Sequence, residues 1–182
     1  MDDRLPGIRA RPSLWRRLDG TARRCLPTAL TILLLLITAA PFRLPGQAEL
    51  QNAVALSCVF FWSVYRPASM PPPAVFLVGL LADLLDFAPP GVGVISLLIA
   101  HGVAARWRRD LIRLGFLLVW LAFVVVASGL ASLQWSLTSA LTFRVLPVGP
   151  ALFQAALAAG LYPMLAVLLV RAHRTLAEPG NA

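Results

Sequence analysis

The stretch Phe76–Gly93 reads FLVGLLADLLDFAPPGVG. It sets two carboxylates, Asp83 and Asp86, among apolar side chains and then breaks the chain at Pro89, Pro90 and Gly91. Three residues apart, the acids share one face of a helix. A helix begun near Ala74 carries Asp83 about 13 Å along its axis, within the hydrocarbon of a bilayer. An ionised Asp at mid-bilayer costs roughly 2.5–3.5 kcal/mol, so the fold must offset it. Three readings compete. An ion path needs further polar groups on other spans, and none stands out. A structural anchor would have Asp83 accept hydrogen bonds from a neighbouring helix. A cap would have Asp86 receive backbone N–H groups where the next helix begins after Pro90. The residues favour Asp83 as the anchor and Asp86 as the cap. On that reading Asp83→Asn keeps function and Asp83→Leu loses folding.

The rest of the chain makes a membrane setting the natural one. Of its 182 residues, 59% are hydrophobic and only 13% charged, and the mean hydropathy is +0.78. Soluble domains average about 45–50% apolar residues. Uncharged runs such as Leu114–Phe143 reach the roughly 20 residues that cross a bilayer. The net charge of +8 comes entirely from arginine. These arginines stand at the ends of apolar runs, where they fix topology, and they do not point to nucleic acid.

Six apolar segments follow a basic tail of residues 1–25, which is either disordered or a short amphipathic helix lying on the membrane. They run Leu26–Phe42, Leu50–Tyr65, Ala74–Ala88, Gly91–Ala105, Leu111–Leu133 and Pro150–Val170. The membrane domain thus covers 26–171, and 172–182 is a second tail. Trp62 and Tyr65 suit an interface at the end of the second segment. MPPP before the third reads as a breaker, and RWRRD stops the fourth. With both termini in the cytoplasm, fourteen of the sixteen arginines face inward: the seven of the tail, then Arg66, Arg106, Arg108, Arg109, Arg113, Arg171 and Arg174. The third and fourth segments are short, since fifteen helical residues rise only about 22 Å. They either span a thinned bilayer or form a re-entrant hairpin inside the protein. QWSLTSALTFRVLPVG, between the fifth and sixth segments, reads as a surface segment on the outer side.

No chemistry stands out. There is no P-loop, HExxH, GxSxG or CxxC. His101 has no other histidine in the spans to complete a metal site. Cys25 and Cys58 read as buried, inert thiols. Catalytic, metal and cofactor residues are therefore none. Small residues recur at packing distance: Ala151, Ala155 and Ala159 on the sixth segment, and Ala127 with Ala131 and Ser128 with Ser132 on the fifth. They serve packing within the chain or a face for a partner, a second copy included.

Gly79-Leu80-Leu81, Asp83-Leu84-Leu85, the break at Pro90-Gly91, and a small-residue helix closed by Arg106, Arg108 and Arg109 together resemble the rod shape-determining protein MreD family. The motif covers about 45 residues; the remainder agrees in length and in six short spans. The resemblance implies an all-α, multi-pass protein of the bacterial inner membrane, with the fold of the substrate-binding subunits of energy-coupling-factor transporters. It implies a non-enzymatic scaffold of cell-wall elongation, associated with MreC, with RodA and its transpeptidase, and indirectly with MreB. The fold relationship supplies an alternative, the substrate-binding subunit of a vitamin-type uptake transporter. Such a subunit needs a polar pocket near the outer surface, and the sequence offers few residues to line one.

Overall fold

The computed structural model describes residues 14–40, 45–86 and 89–177. Residues 1–13 and 178–182 of the expected tails lie outside them. The described residues form six α-helices and no strand: α1 (Leu14–Ala39), α2 (Gln47–Tyr65), α3 (Pro72–Leu85), α4 (Val92–Arg113), α5 (Phe116–Thr142) and α6 (Gly149–Ala177). A 3-10 turn, Pro67–Ser69, links α2 to α3. Each helix contains most of one expected apolar segment.

The boundaries differ where polar residues were read as breaks. α1 continues through residue 26 and through Pro27. The Thr31 hydroxyl donates to the Pro27 carbonyl at 2.8 Å in the buried interior. The prolines before the third segment start a helix. Pro71 is its extended N-cap residue, and Pro72 and Pro73 take first-turn positions, where a missing N–H leaves no bond unmade. α4 does not stop at RWRRD but runs to Arg113, because arginine is a good helix former. The expected surface segment is likewise corrected, since residues 134–142 extend α5. The hydroxyls of Ser132, Ser136 and Thr142 donate to the carbonyls four residues back, at 2.7–2.9 Å. The helix thereby absorbs the polarity that made the segment look broken.

α2 is the central helix, packed against α4 and α6 and flanked by α1 and α3. From Ala53 to Val64 every side chain is buried, as expected of a helix apolar all round. Ser57 and Ser63 return their hydroxyls to Ala53 O and Val59 O at 2.7 and 2.6 Å. Trp62, expected at an interface, is fully buried instead. α2 stays buried through Val64, one residue short of its C-terminal end, so Trp62 belongs to the core. Phe60, Phe123 and Tyr162 form a ring cluster joining α2, α5 and α6, with Phe123 and Tyr162 stacked at 4.2 Å between centroids.

The outer surface is also apolar. Leu84, Leu117, Val125 and Met164 are exposed, Val125 by 72%. α5 over its full length and α6 over Gly149–Arg171 are long and apolar enough to cross a bilayer. The other four helices fall short alone. α3 is only about 21 Å long, α1 and α4 carry arginines, and α2 opens with Gln47, Glu49, Gln51 and Asn52.

Candidate functional site

Asp83 fastens α3 to α4. Its Oδ2 accepts the backbone N–H of Gly91 at 2.7 Å and of Val94 at 3.2 Å, and Oδ1 accepts that of Gly93 at 2.8 Å. The first N–H groups of a helix have no intrahelical partner, and the N-terminus carries about half a positive charge. One carboxylate from a neighbouring helix meets both needs. It is 7% exposed, so the bonds form away from bulk solvent.

Three glycines make this geometry possible. Gly91 turns the chain at φ +100°, in the left-handed region. Gly93 leaves room for the Asp83 carboxylate, which would collide with a β-carbon there. At Gly79 a β-carbon would lie 2.7 Å from the Val94 Cα, so its absence lets the two helices close on each other. Pro90 is exposed in the turn ahead of Gly91.

The structure redistributes the expected roles of the acids. The cap of α4 is Asp83, so the anchor and the cap are one residue. Asp86 ends α3, its own N–H bonded to Ala82 O at 3.0 Å. Its carboxylate accepts Asn52 Nδ2 from α2 at 3.2 Å. The expectation that no other span offers the acids a polar neighbour is therefore incorrect.

A cavity of about 260 Å³ opens beside this lock, walled by α2, α3, α4, α5 and α6. Glu49, Asn52, Asp83, Asp86, Gln134, Thr138 and Gln154 supply its polar side chains, with Trp135 beside them. Gln154 Nε2 donates to Gln134 Oε1 at 2.6 Å across α5 and α6. Trp135 Nε1 donates to Leu146 O at 2.9 Å and holds the α5–α6 connection against α5. Few residues were expected to line such a pocket, and seven polar side chains line this one. They come from four helices, α2, α3, α5 and α6, and only folding gathers them.

No family model, curated protein or solved structure matches this chain.

The remaining expected residues fall in different places. Arg108 is half-buried and its Nε donates to Val64 O at 2.8 Å, satisfying a carbonyl at the C-terminus of α2. Arg106 and Arg109 are exposed. His101 Nδ1 lies 2.8 Å from the Ser63 hydroxyl; that hydroxyl is buried and already bonded to Val59 O. On α6, Ala151 lines the cavity, Ala155 is half-buried, and the Ala159 carbonyl accepts Trp120 Nε1 at 2.9 Å. The deepest stripe of α6 is instead Ala158, Tyr162, Ala166 and Leu169. On α5, Ala127 and Ala131 are buried while Ser128 and Ser132 are exposed. Cys58 is buried, but Cys25 is exposed, contrary to expectation. It lies on the outward side of α1, where Leu26 is also exposed.

Proposed function

We propose that the chain is a six-span membrane protein that acts as a non-enzymatic scaffold of bacterial cell-wall elongation. One observation carries the reading. Gly79, Asp83 and Gly91, through which the sequence resembles the MreD family, are the residues that fasten α3 to α4. Their chemistry is spent on holding helices together, which suits a scaffold. Membrane insertion is supported by the apolar outer surface and by α5 and α6. The charge distribution agrees: Glu49, Asp83 and Asp86 lie at one end of the bundle with Arg144, and Arg66, Arg106, Arg108, Arg109, Arg113 and Arg171 at the other with Asp110. The arginine end is then cytoplasmic. The partners are MreC and, through it, RodA and its transpeptidase, at the inner membrane. An affinity-tagged chain purified from native membrane in mild detergent is expected to bring down MreC. Its recovery without MreC or RodA would overturn the reading.

The cavity supports a second reading, the substrate-binding subunit of a small-molecule uptake transporter. Its position at the acidic end suits capture from outside. The same purification separates the two, because an uptake subunit would co-purify with an ATP-hydrolysing transporter module instead of cell-wall proteins.

A further inference from the structure

We infer that a groove between α2 and α6, at the arginine end of the bundle, holds one acyl chain of an anionic phospholipid from the cytoplasmic leaflet. The groove has a volume of about 290 Å³ and shares no lining residue with the cavity beside Asp83. Its floor is Phe61, Tyr162 and Ala166, all buried. Ala166 leaves the space open, because only a methyl group stands there between Tyr162 and Val170, its neighbours four residues away on the same face of α6. Phe116, Val167 and Val170 form an exposed apolar rim.

Three features choose the occupant. The first is the direction in which polarity changes. From Tyr162 to Arg171, α6 rises about 13 Å, and along that path the wall passes from aromatic and aliphatic side chains to a guanidinium. Tyr65, the last residue of α2, joins Arg171 at this polar end. Tyrosine and arginine at the end of a span sit at headgroup level. An amphiphile with its head at Arg171 and its tail toward Tyr162 matches both ends, whereas a compact polar ligand matches only one. The second feature is charge. Arg171 is the one charged residue in the wall among the described residues, and no described residue pairs with it or accepts a hydrogen bond from it. An anionic phosphodiester completes it, while a zwitterionic headgroup brings a second cation to the same place. The third is access. The rim lies on α5 and α6, the helices long and apolar enough to cross a bilayer, so the groove opens where lipid tails surround the protein. The inference rests on the proposed membrane insertion and orientation, but not on the choice between scaffold and uptake subunit.

The test is native mass spectrometry of the full chain in a non-ionic detergent, titrated with phosphatidylglycerol or with phosphatidylcholine of the same acyl chains. One phosphatidylglycerol should bind ahead of any other lipid, about fivefold more tightly than phosphatidylcholine. Arg171→Gln should remove that preference, and Val167→Phe, which fills the rim, should weaken binding of both lipids. Arg106→Gln, at an exposed arginine outside the groove, should keep the preference. Unchanged unfolding midpoints show that the Arg171→Gln and Arg106→Gln chains are folded. Equal affinity for the two lipids, a preference that survives Arg171→Gln or is lost equally in Arg106→Gln, or undiminished binding by a folded Val167→Phe would each overturn the inference. So would a dimer that Val167→Phe dissociates and added lipid leaves intact, because a second copy would then fill the groove. Insertion is tested apart, by whether the chain stays with membranes washed in alkaline carbonate. A chain that washes off overturns the membrane reading itself, whereas an inserted chain without a lipid preference overturns this inference alone.

Discussion

Asp83 and Gly93 are matched across the α3–α4 turn: the carboxylate accepts the Gly93 N–H at 2.8 Å and fills the space where a β-carbon at 93 would stand. Neither residue can change without disturbing the other. With three N–H donors on two oxygens, Asp83→Asn replaces one acceptor by an NH2 group that faces an N–H. The variant should lose about 2 kcal/mol of stability, and Asp83→Leu on the order of 4 kcal/mol, since bonds to charged groups are worth about 1.5–3 each. Unfolding midpoints in detergent should fall in the order wild type, Asn, Leu. This revises the expectation that Asn is harmless; an Asn variant as stable as wild type would contradict the three-bond geometry.

The glycines give a graded series. Gly93→Ala and Gly79→Ala each force backbone or a buried carboxylate to move, and both should lower the unfolding midpoint sharply. Gly91→Ala should cost about 1–3 kcal/mol from its left-handed backbone alone. Gly102, in mid-α4 with open space around it, is the control. Gly102→Ala should be neutral or stabilising by up to about 1 kcal/mol.

The three arginines of the RWRR stretch in α4, Arg106, Arg108 and Arg109, should differ. Arg108→Ala removes the bond to Val64 O and should cost about 1–2 kcal/mol in the purified protein. Arg106→Ala and Arg109→Ala should stay within about 0.5 kcal/mol. Equal effects at all three would mean that Arg108 acts only as a charge.

Phe123 and Tyr162 stack in the core between α5 and α6. Phe123→Ala should cost about 3–5 kcal/mol. A double-mutant cycle between Phe123→Leu and Tyr162→Leu should return a coupling of about 0.5–1.5 kcal/mol. A coupling near zero would show that the rings contribute by burial alone.

The topology is open to a direct check. Val145 is 89% exposed in the α5–α6 connection, and Arg109 is exposed near the far end of α4. A membrane-impermeant maleimide added to intact cells or spheroplasts should label Val145→Cys but not Arg109→Cys. Lysed membranes should label both. The reverse pattern would invert the assigned orientation.

The helices were legible because apolar length and arginine placement act locally. Each of the six segments became a helix for that reason. Errors came where a residue's fate depends on a distant neighbour. Trp62 is buried because the bundle packs around α2. The exception is local: Ser132, Ser136 and Thr142 keep α5 going by bonding to carbonyls four residues back. The Gly79–Asp83–Gly91 pattern pointed to a tight hairpin correctly, but the donors that Asp83 would meet belong to α4 and depend on where its first turn lies. The cavity was missed for the same reason. Glu49, Asp86, Gln134 and Gln154 look like isolated polar residues along the chain, and only the packing of α2, α3, α5 and α6 brings them together.

The account's central claim is that this interlocked bundle serves cell-wall elongation as a scaffold. Cell shape after depletion of the chain in a rod-shaped host tests it most directly, with wild type and Asp83→Leu supplied in trans. Depleted cells should widen and round, and wild type should restore rods, while Asp83→Leu should not. Cells that keep their width and length after depletion would contradict the claim.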